Sequence, residues 1–89
     1  MKDFHPNIHE LKTWPEYYSQ VRDGHKRFEL RKDDRGFAVN DLLILREFDP
    51  DEQTYTGCVT VAVVTSVVRG AWLATGYVAL GISVMEVMK

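Results

Sequence analysis

The chain has 89 residues, a formal charge of −2, 45% hydrophobic and 27% charged residues, the composition of an ordinary globular protein with room for one domain. A chain this short buries about 60–65% of its unfolded surface, so its core is modest. The charge excludes a uniformly basic nucleic-acid binder, and the lone Cys58 excludes an intramolecular disulfide, which fits a reducing, cytoplasmic compartment.

Residues 1–7 read as a loose leader without the apolar run of a signal peptide. Residues 8–12 alternate and predict a first strand. Thr13-Trp14-Pro15-Glu16 then reads as a helix start: Thr13 as cap, Glu16 three residues on as in a capping box, Pro15 in the first turn. Trp14, Tyr17, Tyr18 and Val21 fall on one helical face, and Gly24 suits a left-handed helix end, so a helix is expected near 14–23. Residues 26–31 alternate as a second strand, with Phe28 and Leu30 on the core side and Arg27, Glu29 and Arg31 on the other. A loop over 32–41 follows, then a third strand over 42–48 and a polar turn at 49–54. The β-branched run 55–68 predicts a long fourth strand; a loop over 70–76 carries Trp72 and Leu73. The last strand, 77–87, is expected to point Val78, Leu80, Ile82 and Val84 inward. The longest apolar stretch, 59–68, is interrupted by Thr60, Thr65 and Ser66 and is too short for a membrane helix. One helix and about five strands predict an α+β, mainly β fold, a small mixed β-barrel whose closure removes exposed edges.

Charge concentrates in one place. Residues 25–35 hold five Lys or Arg against three acids, a local excess of +2 that leaves −4 on the rest. The row Arg27, Glu29, Arg31 reads either as a salt-bridged outer face, worth little to stability, or as the wall of a site. For a site, Lys12, Lys26, Arg31, Lys32 and Arg35 supply cations for phosphates. Glu29 would accept from a base amino edge, and Trp14, Tyr17, Tyr18 and Phe37 offer faces for stacking. Helical spacing makes the helix aromatics core candidates too, with Trp14 the best placed for exposure.

Other chemistry finds little footing. His5, His9, His25 and Cys58 lack metal-ligand spacing, so no metal or cofactor is expected. Gly24 and Gly36 do not make a phosphate-binding loop. Cys58 has no evident activating base and defaults to a buried thiol; Ser19, Ser66 and Ser83 lack a nucleophile's context.

Taken in order, His9-Glu10-Leu11-Lys12, Pro15-Glu16-Tyr17-Tyr18, the run 24–32, Asp34-Arg35-Gly36-Phe37, Asp41, 45–50, Tyr55-Thr56-Gly57 and Gly76-Tyr77-Val78 form a specific set. Over residues 8 to about 84 the chain resembles the ASCH superfamily of PUA-like domains, and within it the small proteins of phages and their bacterial hosts grouped as DUF3850. The resemblance implies a PUA-like barrel, a cleft between helix and sheet, and RNA or a nucleotide as ligand. The ASCH cleft signature maps onto Gly24, Lys26, Glu29 and Arg31. Where the family usually has asparagine and glycine, this chain has Asp33 and Asn40; Asp33 weakens phosphate contact there, and Asn40 still tolerates a left-handed turn. One ASCH branch hydrolyses N4-acetylcytidine with a lysine, a threonine and a glutamate. Lys26 matches the lysine, Glu29 stands where the threonine would, and the glutamate's insertion is missing between 68 and 76. Lys26 and Glu29 are therefore the catalytic candidates of an alternative reading, with the objection that residues three apart on a strand face opposite ways. A third reading is a phage protein-interaction module using the acidic turn at 49–52 and Trp72.

Overall fold

A computed structural model describes residues 6–70 and 72–89. Its elements run β1 (Ile8–Thr13), α1 (Pro15–Arg22), β2 (Phe28–Lys32), β3 (Leu42–Asp49), β4 (Thr54–Arg69) and β5 (Tyr77–Met88). One mixed sheet in the order β1-β3-β4-β5-β2 curls into a half-barrel, with β1 parallel to β3 and every other pairing antiparallel. The leader expected at 1–7 and His5 fall largely on residues 1–5, outside those described. Asn7 is tied in: its N–H donates to Asp41 Oδ1 at 3.3 Å, and its carbonyl accepts from Leu42 N at 2.9 Å.

The β-branched run makes β4 the axis of the sheet, paired with β3 within residues 54–63 and with β5 within residues 59–69 of its 16-residue length. Register shifts between Val61 and Ala62 and between Val64 and Ser66 bend it against β5, as bulges do in strongly coiled sheets. Its inner face is Thr60, Ala62 and Val64, buried with Leu11, Leu43, Leu45, Val78, Leu80 and Ile82. Val84 is exposed, against expectation. The antiparallel register of β2 ends at the Phe28–Gly81 pair, so among the described residues no strand pairs with the far end of β5 on that edge.

Helix α1 packs against β3 and β5 and buries Tyr18 and Val21, while Trp14 and Tyr17 stay half exposed. Its cap is Trp14, in extended backbone and without a side-chain cap bond, and Pro15 opens the first turn. The capping box is absent because Thr13 is the last residue of β1, its side chain turned inward. At the other end Gly24 takes a φ of +80°. That left-handed step lets the N–H groups of His25 and Lys26 both return to Gln20 O, at 2.9 and 3.0 Å.

Two polar ties sit inside the core. His9 Nε2 lies 2.8 Å from Asp41 Oδ2, which also accepts Ala38 N at 3.0 Å, and the His9 ring packs on Phe37 at 4.6 Å. Asn40, beside them, holds a φ of +78°, the left-handed turn foreseen for it. Thr60 Oγ1 donates to Tyr18 Oη at 2.9 Å, with both residues fully buried. Burial pushes the Tyr18 phenol above its ordinary value near 10, partly offset by the Thr60 hydrogen bond. The raised pKa sets a sign: the unfolded chain gives up the phenolic proton first. Stability is then intact below pH 10 and falls as pH climbs from there to the folded value. Tyr18→Phe strands the Thr60 hydroxyl and is expected to cost about 1–3 kcal/mol in urea melts near neutral pH, with Thr60→Val on top recovering part of it. Above pH 10 the Tyr18→Phe variant is expected to show a flatter alkaline decline than the parent.

Candidate functional site

The half-barrel leaves its two edge strands, β1 and β2, facing each other without pairing. Arginine side chains bridge that seam. Arg31 Nη2 donates to Lys12 O at 3.0 Å and Thr13 Oγ1 at 3.3 Å; Arg35 Nη1 donates to Glu10 O at 2.8 Å. The inner face of β2 carries Glu29, which is 3% exposed. Its Oε1 accepts from Lys26 Nζ and its Oε2 from Arg31 Nε, each at 2.9 Å. A carboxylate so deeply buried needs such partners, and each of its oxygens meets one cation.

This reverses the face assignment made for β2. Phe28 and Leu30, expected in the core, are about half exposed, and the ionic row turns inward instead. The reason is the position of the strand. Alternation separates two faces without saying which is inside, and as an edge strand β2 looks across the seam toward β1 and α1, where Arg31 finds free carbonyls. Arg27 does not share that face. It precedes the strand and donates from Nε to Gly24 O at 3.1 Å. Lys26 also lies outside β2, so the opposite-face objection to its meeting Glu29 does not apply; the turn after Gly24 brings its Nζ to Glu29 and to Phe28 O.

A cavity of about 410 Å³ opens in the seam, within the range of small-ligand pockets. β1 contributes Lys12 and Thr13, the start of α1 Trp14 and Tyr17, the turn Lys26, and β2 the four residues 28–31. Lys26 Nζ lies 4.9 Å from the Phe28 ring centre and 5.8 Å from that of Tyr17, and Lys12 Nζ sits 4.1 Å over Phe48. Of the residues singled out from sequence, Lys12, Trp14, Tyr17, Lys26, Glu29 and Arg31 thus converge here. Lys32 is exposed and outside the lining, and Arg35 is used in stapling β1. Phe37, offered for stacking, is 2% exposed against His9, and Tyr18 is core. Asp33 is not a bare negative charge in the loop. Arg69 holds it through two hydrogen bonds of 2.6 and 3.3 Å and keeps its carboxyl below the usual carboxylate range. Thr13, Phe28 and Leu30 line the cavity without having been foreseen there; two had been placed in the core and one at a cap.

Elsewhere, Cys58 is half buried rather than buried. Trp72 is almost wholly exposed, next to residue 71, which lies outside those described. Among the described residues no three His, Cys, Asp or Glu side chains come close enough to hold a metal ion, and no helix is long and apolar enough to cross a membrane.

The family described as a domain of unknown function (DUF3850) matches over residues 8–82, from the first residue of β1 into β5. The chain belongs to that family. The DUF3850 match takes in every residue of the cavity. The chain is also similar to a protein of Escherichia phage P2 described as an uncharacterized 12.9 kDa protein in the GpA 3′ region, at 46% identity over 41 residues. That stretch is 46% of this chain and spans only 38% of the phage protein.

The Lys26–Glu29–Arg31 triad makes a stability prediction of its own. Glu29→Gln leaves two cations facing a neutral amide and is expected to cost about 2–4 kcal/mol, toward the low end because Lys26 and Arg31 keep some solvent. Lys26→Met, which leaves Glu29 paired to Arg31, is expected to cost less. Urea denaturation midpoints of the two variants test the order.

Proposed function

We propose that the seam cavity binds a nucleotide unit of RNA, in the manner of an ASCH-type, PUA-like module. One observation carries the reading: a buried carboxylate held by two cations forms the floor beneath half-exposed Trp14, Tyr17 and Phe28. Each Glu29 oxygen accepts one protein hydrogen bond at 2.9 Å and retains a lone pair for a base amino group, as carboxylates accept from cytosine N4. The aromatic rings give a base a stacking partner. Lys12, exposed at the cavity, keeps its ammonium for a phosphate: among the described residues its contact is a cation–π one with Phe48. The ASCH resemblance, which carries its own cleft signature onto Gly24, Lys26, Glu29 and Arg31, points the same way.

The test is anisotropy of a labelled single-stranded ribo-oligonucleotide. Trp14→Ala is expected to weaken binding by about 1–3 kcal/mol if one base stacks there. Lys12→Ala is expected to weaken it across sequences and to lower the slope of log Kd against log salt by about 1. Unchanged affinity in both variants would remove this cavity from the interface.

A second reading, amide hydrolysis on an N4-acylated cytidine, gains support from the 2.9 Å approach of Lys26 Nζ to Glu29 Oε1. In that chemistry Glu29 takes a proton from water, the water oxygen bonds to the acyl carbon whose carbonyl Lys26 polarises, and the carbon–nitrogen bond breaks as that proton passes to N4, releasing acetate and cytidine. Acetate release from N4-acetylcytidine that Glu29→Gln abolishes would establish it. No acetate at enzyme concentrations near the substrate's would exclude it.

A further inference from the structure

A second cavity of about 420 Å³ lies on the other side of the α1–β2 turn, against the bend where β4 and β5 lose register. Its polar lining is Lys26, Arg27, Thr65 and Ser83, with no carboxylate and no aromatic ring. Lys26 lines both cavities, so the two adjoin through one side chain. Their chemistry is divided. The first has rings and a carboxylate flanked by cations; the second has two cations and two hydroxyls.

Local structure supports that division. The Arg27 carbonyl accepts Ile82 N at 3.0 Å, which pins the turn to β5. The side chain spends Nε on Gly24 O, and its two Nη groups are the fork a guanidinium offers an oxyanion. Thr65 falls at the register shift between Val64 and Ser66, where the strand swells toward the turn. A Cβ at Gly81 would collide with Ser66 Oγ, so the bulge closes over a glycine and its shape depends on that residue.

We infer that the second cavity receives the phosphodiester and sugar adjoining the base held in the first. The inference rests on the base-binding reading of that first cavity. It makes the ligand an internal nucleotide of a single strand rather than a free nucleoside. A nucleotide divides as the cavities do, into a flat ring with hydrogen-bonding edges and an anionic, hydroxyl-bearing backbone. Arg27, which has no carboxylate partner among the described residues, favours the anionic half, with Lys26 at the junction still paired to Glu29, and Thr65 and Ser83 suit phosphate or ribose oxygens.

The test uses Trp72→Phe protein, so that Trp14 alone reports. It is titrated with the four ribonucleosides, the four homodimeric ribodinucleotides, and inorganic phosphate alone and added to nucleoside. The inference expects at least one dinucleotide to bind about tenfold or more tightly than its nucleoside. Arg27→Ala is expected to erase that margin, while Arg27→Lys keeps part of it and Ser83→Ala trims it. Arg27 is exposed, so its variants are expected to fold, and thermal melts verify this. Equal binding of nucleoside and dinucleotide overturns the inference and leaves the first cavity's reading standing, as does a margin that survives Arg27→Ala. Phosphate that reproduces the whole gain when added to nucleoside also overturns it, since the cavity would then be a free-anion site. Binding of neither nucleoside nor dinucleotide ends both.

Discussion

The buried carboxylate of Glu29 is the constraint on which the open side of this fold depends. It cannot stay desolvated without cations, and the two it takes come from different directions: Lys26 from the turn after α1, Arg31 from two residues along its own strand. Arg31 then spends its remaining donors on β1, at Lys12 O and Thr13 Oγ1. One acid therefore fixes the turn, the strand and, through Arg31, the opposite sheet edge. Replacing the triad by well-packed apolar residues would not loosen the core as such, because buried ion pairs contribute little net stability over such a substitute. What the triad secures is position.

That position explains why there is a cavity at all. A sheet whose edge strands met would place backbone hydrogen bonds along the seam and leave no space. Here β1 and β2 are spanned by guanidinium groups of Arg31 and Arg35, whose reach is longer than a ladder hydrogen bond. The Glu10 and Lys12 carbonyls are satisfied, which blunts an edge that would otherwise invite another chain, and the gap left between the strands becomes the pocket. Since β2 is an edge, residues from both of its faces reach that gap. This is how exposed Phe28 and Leu30 and inward Glu29 and Arg31 line the same space. Exposed apolar side chains beside a polar pocket are otherwise costly to solubility and mark surfaces that meet something.

The elements were legible in the sequence because each depends on local pattern. Alternation and β-branching marked the strands to within two residues at each end, and the Trp14-Pro15 start and Gly24 end bracketed the helix. What pattern does not carry is which face of an amphipathic strand meets the core. For β5 the hydrophobic side was inside through Ile82, and the pattern failed only where β2 ran out. For β2 the polar side was inside, because the long-range partners that neutralise Glu29 and employ Arg31 appear only after folding. Thr60 makes the same point in β4: a hydroxyl occupies the inner face because Tyr18, 42 residues away, accepts its proton. The site was legible as a charge cluster with Trp14 and Tyr17 beside it; its Thr13, Phe28 and Leu30 lining was not, since Thr13 served equally well as a helix cap and the other two as core residues.

A net-negative chain carrying a basic site also restricts what can approach. The carboxylate inside the first cavity cancels one of its two paired cations, so the field there is weaker than the local count of Lys and Arg suggests, and Asp33 and Arg69 neutralise each other nearby. Arg27, by contrast, has no carboxylate partner among the described residues, and no acid lines the second cavity beside it. On the proposed reading, an anionic strand drawn by long-range attraction would meet that side first, and short-range stacking and hydrogen bonding would then select a base in the seam. Charge and shape would then act at different stages, since the two cavities separate an aromatic lining from a cationic, hydroxyl-bearing one in space, with Lys26 at their junction.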